Sequence, residues 1–169
     1  MKALGIWFFL MVVGWGIELG KVPPLVTLQG QTGGHLNGQG WNSQLLKGKV
    51  HVIFYVDPDK KDLNNDFSEA LKAKQFDLKR YHSVAIVNLA ATFMPNFLIE
   101  AKLKEKQARY PNALYLKDKQ KVLVKAWGLE DNNSDILIFD QKGKLIYQKF
   151  GKLSQEEIAH VLKMIEKHL

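Results

Sequence analysis

The 169-residue sequence predicts an α/β domain in which a central mixed β-sheet is flanked by helices. Three observations predict it. Residues 50–56, Val-His-Val-Ile-Phe-Tyr-Val, form a run of β-branched and aromatic residues with apolar side chains on both faces, as a strand buried on both sides requires. A second such run, residues 83–89, follows after a helix-length segment, and two strands joined through one helix make a right-handed βαβ unit with a parallel pair. The remainder then changes to short strands and tight turns and closes on an amphipathic helix, a ββα ending.

The N-terminus stands apart from this domain. Lys2 is a short basic region, residues 3–13 are small or apolar throughout, and Gly14 and Gly16 supply small side chains ahead of a cut between Gly16 and Ile17. This is the pattern of a secretory signal peptide over residues 1–16, followed by one domain over residues 17–169. The alternative is an uncleaved N-terminal anchor, although the apolar run falls short of the ~20 residues that span a bilayer. No later segment approaches that length, so no further membrane span is expected.

Along the domain, Val22-Pro23-Pro24 opens an extended stretch, and residues 25–28 are expected as an edge strand, where proline is tolerated. Residues 29–40, rich in Gly, Asn and Gln, read as turns. After the 50–56 strand, Asp57-Pro58-Asp59-Lys60-Lys61 forms a break, and Asp62 is the expected N-cap of a helix running to about Gln75 with Phe67, Ala70 and Leu71 inward. Pro95 suits the first turn of a second helix, which runs to about Arg109 before Tyr110-Pro111 stops it. Residues 113–116 and 121–127 read as an inserted strand pair, and residues 136–139 and 145–150 as a hairpin turning at Asp140-Gln141-Lys142-Gly143. Ser154 and Glu157 form a capping box for the last helix, which places Ile158, Val161, Leu162, Ile165 and Leu169 on one face. The order βαβ then ββα, with an extra N-terminal strand or hairpin, is the thioredoxin-like arrangement.

Composition removes the chemistry for which that arrangement is best known. The sequence has no cysteine, and thiol–disulfide exchange needs a thiolate nucleophile, so redox catalysis by this chain alone is excluded. The formal net charge is +7, and removing residues 1–16 takes away only Lys2, leaving 7 − 1 = +6. Nearly all of the positive charge is lysine, with Arg80 and Arg109 the sole arginines, and the lysines alternate with acidic residues and Gln. Scattered lysines make a solvated surface rather than a phosphate-reading one, which argues against a nucleic-acid partner.

Several pieces resemble the YtfJ family of bacterial proteins: Trp41-Asn42-Ser43 with Leu46 and Gly48-Lys49-Val50, then Lys125-Ala126-Trp127-Gly128-Leu129, then Ser134 through Asp140 with Gly143, then Gly151 with Leu153, Glu156 and Glu157. The resemblance covers the chain from about Trp41 to Leu169. It implies a thioredoxin-like fold in the periplasm, and it supplies neither an activity nor catalytic residues; some members carry a bare label of transcriptional regulator. A more distant likeness is to periplasmic thiol oxidoreductases and peroxiredoxin-like domains. In those proteins the first central strand ends in Cys-x-x-Cys, facing a cis-proline. Here the corresponding places are residues 57–61 and Ser134, so both halves of that site are missing.

The vacated groove is the candidate contact surface, with Asp57, Asp59, Lys60, Lys61, Ser134 and Asp135 as its residues, because ligands sit beside the ends of central strands in such sheets. Asp57 and Asp59 are oxygen donors, but the spacing of a calcium loop is not met. Asp57 is then expected to shape the Pro58 turn. The histidines His35, His51, His82, His160 and His168 show no ligand spacing, so neither a metal nor a cofactor is expected. No Gly-x-Ser-x-Gly occurs, which argues against a serine hydrolase. Trp41, Trp127, Tyr55, Tyr81 and Phe93 are expected in the core rather than in an aromatic cleft. The primary functional expectation is a non-redox periplasmic module that binds a protein or envelope component. The alternatives are a thiol-independent, metal-assisted enzyme using Asp57 and Asp59, and a transcriptional regulator, which an export signal opposes.

Overall fold

A computed structural model describes residues 16–169; the expected signal peptide, apart from Gly16, lies outside the described residues. The chain forms β1 (Thr27–Leu28), β2 (Gly33–His35), β3 (Trp41–Asn42), β4 (Val50–Val56), α1 (Asn65–Lys74), β5 (Tyr81–Asn88), α2 (Asn96–Arg109), β6 (Ala113–Asp118), α3 (Val122–Trp127), β7 (Ser134–Phe139), β8 (Leu145–Phe150) and α4 (Gln155–His168). Six strands make one mixed sheet in the order β2-β6-β5-β4-β7-β8, while β1 and β3 pair as a separate ribbon. Strand β4 runs parallel to β5 and antiparallel to β7, so the two-sided apolar strand sits at the centre of the sheet.

Side-chain alternation along the strands divides the core into two layers. On one face Ile53, Tyr55, Val84, Ile86, Leu116, Leu137 and Phe139 pack under Leu123 and Trp127 of α3 and under Leu28, Trp41 and Leu46 of the N-terminal segment. On the other face Val50, Val52, Ile136 and Ile138 meet Phe67 and Leu71 of α1 and Ile158, Val161 and Ile165 of α4. Helix α2 covers the far side of that face by burying Ile99 and Leu103 against Val87 and Leu89. Four of the five aromatics expected in the core, Trp41, Tyr55, Tyr81 and Trp127, are buried; Phe93 is fully exposed.

Three expectations need correction. Residues 121–127 do not form a strand but helix α3, despite Val-Leu-Val. Asp118, buried at the end of β6, accepts hydrogen bonds from the backbone N–H of Gln120, Val122 and Leu123, which supplies the partners a helix start lacks. Gly128 then ends the helix at φ 68°. The inserted strand pair therefore has only one member in that region, β6, which lies between parallel β5 and antiparallel β2, the latter from the segment read as turns. Gly33 explains why β2 is glycine-built: a Cβ there would lie 1.9 Å from the Lys117 carbonyl oxygen. Finally, Asp62 does not cap α1. The N-cap is Asn64, and Asp62 Oδ1 instead accepts a hydrogen bond from the Asn65 side chain.

The two hairpin ends match expectation. Gly143 adopts φ 77° in the β7–β8 turn. At α4 the Ser154 hydroxyl accepts the Glu157 N–H while the Glu157 carboxylate accepts the Ser154 N–H, at 3.1 and 2.7 Å.

Candidate functional site

The βαβ unit brings the predicted loops together at the end of the sheet where β4 and β5 stop and β7 starts. Val56 lies opposite Ser134 in register, and the Asp57 N–H donates to the Asn133 carbonyl at 2.9 Å. Proline at 58 fixes the turn. Asp57 is 3% exposed, and its Oδ1 accepts the Asp59 N–H at 2.8 Å while its carbonyl accepts the Lys60 N–H. Burial raises the Asp57 carboxyl above its ordinary value. Asp57 thus shapes the turn, and its carboxylate does not form a pair of free ligands with Asp59. Asp59, Lys60 and Lys61 are exposed, and Lys61 Nζ lies 3.1 Å from an Asp62 carboxylate oxygen.

Ser134 and Asp135 are buried rather than presented. Asn64, ahead of α1, fills the space between them and the β8–α4 connection. Its Nδ2 donates to the Ser134 carbonyl, the Ser134 hydroxyl and the Gly151 carbonyl at 3.1–3.2 Å, and its Oδ1 accepts the Leu153 N–H at 3.0 Å. Asp135 Oδ2 accepts the Glu130 N–H at 2.8 Å, while Oδ1 has no partner among the described residues. Burial pushes the Asp135 carboxyl up to about 7, with Glu130 as the nearby like charge adding to the shift. Asn88, at the end of β5, donates to Asp131, whose carboxylate also pairs with Lys121 Nζ at 2.5 Å. The end of the sheet is therefore closed by side-chain amides and carboxyls bonded to backbone.

What this end presents to solvent is apolar as well as charged. The loop after β5 carries Phe93, and the first turn of α2 carries Phe97 and Leu98, 71% and 44% exposed. Glu100 fixes their position: its carboxylate bridges Lys117 and Lys119 at 3.3 and 3.5 Å at the end of β6, tying the start of α2 to the same end of the sheet. Sequence reasoning placed Phe93 in the core and passed over Phe97. The signal available was the spacing Phe93, Phe97, Leu98, which puts apolar groups beside the Ile99 and Leu103 stripe rather than on it.

Among the described residues no three His, Asp or Glu side chains lie close enough, as they stand, to hold a metal ion, and no helix is long and apolar enough to cross a membrane. One pairing was nonetheless missed. His51 and His82 lie directly opposite each other on parallel β4 and β5, with ring centroids 5.6 Å apart in an edge-on arrangement. Burial lowers both, His51 to about 4; His82 and Lys49 add to the shift at His51, and Lys49 to that at His82.

A mixed sheet with α1, α2 and α4 on one face, α3 on the other, and a cysteine-free β4–α1 turn defines a thioredoxin-like α/β domain that lacks the thiols. Solved structures share that fold. A thiol-disulfide isomerase from Corynebacterium glutamicum superposes with a TM-score of 0.60 over 85% of this chain and 96% of its own, at 19% identity. The pneumococcal exposed lipoprotein thioredoxin Etrx1 from Streptococcus pneumoniae gives 0.55 over 83% and 98%, at 20% identity. The family model described as "Bacterial protein of unknown function (YtfJ_HI0045)" matches residues 27–168, and the chain belongs to that family. It is 28% identical over 132 residues to the uncharacterized protein YtfJ of Escherichia coli K12, covering 76% of this chain and 72% of that one. An uncharacterized Haemophilus influenzae protein is 27% identical over 130 residues, covering 75% and 71%.

Proposed function

We propose that this protein is an exported, non-redox binding module that works in the periplasm, and that it meets a protein or envelope component through the closed end of its sheet. The exposed surface there comprises Phe93, Phe97 and Leu98 with the charged loop residues Asp59, Lys60 and Lys61. The observation that carries this reading is the exposure of two phenylalanines at the strand ends, where a thioredoxin-like sheet presents its ligand surface. Solvent-facing Phe side chains four positions apart around the start of one helix are a contact signal, since scattered single apolar residues would need no explanation. The buried Asp57, Ser134 and Asp135 hold the neighbouring loops through their bonds to Asp59, Asn64 and Glu130. Export rests on Lys2, the apolar residues 3–13 and the small pair Gly14 and Gly16.

The test is affinity capture with cross-linking from intact cells, comparing the natural protein with Phe93→Ser/Phe97→Ser. Capture of a specific envelope partner by the natural protein and its loss in the variant, at unchanged thermal stability, is the expected result. Equal capture by both would place the contact elsewhere. N-terminal sequencing checks the compartment: the mature chain starts at Ile17 in the periplasmic fraction, whereas a full-length cytoplasmic product would overturn export.

A further inference from the structure

The opposite end of the sheet, where β4 and β5 begin, holds an arrangement that the binding surface does not use. A cavity of about 220 Å³ opens beneath Trp41 and Leu46, and three histidines line it: His51 from β4, His82 from β5 and His35 from β2. We propose that this cavity is a binding site for a late first-row transition-metal dication such as Zn²⁺ or Cu²⁺, anchored by His51 and His82 with His35 as the third ligand.

Four observations support it. First, the anchoring pair is built by strand register, not by surface chance: His51 and His82 are directly opposed on adjacent strands and share one side of the sheet. Second, His51 is 4% exposed, and its Nδ1 is set 3.1 Å from the Lys49 carbonyl. A neutral ring must donate there, because a carbonyl can only accept, and Nε2 is left as the unprotonated lone pair. Metal-ligating histidines are oriented in this way by a bond from the other ring nitrogen to a backbone carbonyl. Third, neither the His82 nor the His35 ring, both half-buried, makes a hydrogen bond to another described residue, so no protein hydrogen bond has to be broken for their ring nitrogens to ligate. Fourth, the rest of the lining is apolar, including Leu45, Val84 and Leu114, with no carboxylate and no thiol. All-imidazole ligation suits zinc and copper and is poor for magnesium or calcium.

His51 and His82 supply two ligands from facing positions on adjacent strands. His35, on the edge strand, completes a third by side-chain rotation, and water fills the remaining positions. Lys49, whose ammonium donates to the Leu78 carbonyl at 2.7 Å, adds positive potential nearby and tempers the affinity.

The experiment is calorimetric titration of the purified, chelator-stripped protein with zinc chloride and, separately, copper sulfate, alongside thermal melting with each ion. One ion per chain is expected, with a rise in melting temperature by linkage. His82→Ala lowers the affinity by more than about tenfold, and His35→Ala lowers it less. The control His160→Ala/His168→Ala, which removes the two histidines of α4, leaves it unchanged. His82 and His35 are only half-buried, so their variants keep the test alive if a change at the buried His51 unfolds the chain. No uptake of either ion, equal affinity in His82→Ala, or loss of binding in the α4 control would each overturn the assignment.

Discussion

The two ends of this sheet are built on opposite principles. Where β4 and β5 stop, the Asn64 side chain reaches across 70 to 89 residues of sequence to bond backbone groups of Ser134, Gly151 and Leu153. Where the same strands begin, three imidazoles line a cavity, and only that of His51 is tied to a backbone carbonyl. In a thioredoxin-like domain the first end normally carries thiols. Here its residues have become structural, and only an outer shell of Phe93, Phe97 and charged loop residues remains available. The comparison teaches that losing cysteine does not leave an open groove behind. A buried amide network closes that end, and the contact proposed above lies at its rim.

That contrast can be broken in three ways. The largest effect is expected for Asn64→Ala, which removes four hydrogen bonds and leaves the Leu153 N–H and the Ser134 carbonyl with poorer partners. A loss of about 3–4 kcal/mol is expected from the desolvation cost of such groups, read by chemical denaturation. A loss below about 1 kcal/mol would mean that water replaces the amide and that the end is not closed.

Asp135→Asn sharpens the same point with a pH signature. The folded carboxyl titrates at about 7 against an ordinary 3.8, so between those values the folded chain holds a proton that the unfolded chain has given up. Natural-protein stability therefore falls relative to the Asn variant as pH rises from about 4 to about 7, and the gap is constant above. The gap reaches about 2–4 kcal/mol at pH 8, provided the side-chain oxygen of Asn keeps the Glu130 N–H. Parallel stability curves across that range would show that Asp135 is ionised in the fold.

The smallest effect separates the two loops. Asp59→Ala is expected to change stability within ~0.5 kcal/mol because Asp59 is exposed, whereas Ser134→Ala costs about 1 kcal/mol through the lost Asn64 bond. Differential scanning calorimetry of the two single variants checks this. Equal melting temperatures would put Ser134 back among surface residues.

Much of the fold was legible because its signals are local. Strands β4 and β5 declare themselves by apolar residues on both faces, and α4 by Ser154 and Glu157 three residues apart. Strand β2 was not legible, since Gly33 and Gly34 carry no side chains to show a period. Helix α3 was hidden by Val122 and Val124, whose strand propensity is overruled by the Asp118 carboxylate and by Trp127, whose indole N–H donates to the Pro24 carbonyl 103 residues away. At the site, the turn role of Asp57 could be read from the following proline. The burial of Ser134 and Asp135 could not, because the group that covers Ser134 is Asn64. His51 and His82 are 31 positions apart and pair only through register; each is the second residue of its strand, a match visible once both strand starts are fixed.

The central claim is that contact occurs at the rim of the closed end. It is tested most directly by placing a photo-cross-linking amino acid at two exposed positions in separate experiments in living cells: Phe93, at the closed end, and Leu45, at the mouth of the histidine cavity. The account predicts a discrete adduct in the envelope fraction from position 93, lost when Phe97→Ser is added, and none from position 45. An adduct from position 45 with none from position 93 would contradict it.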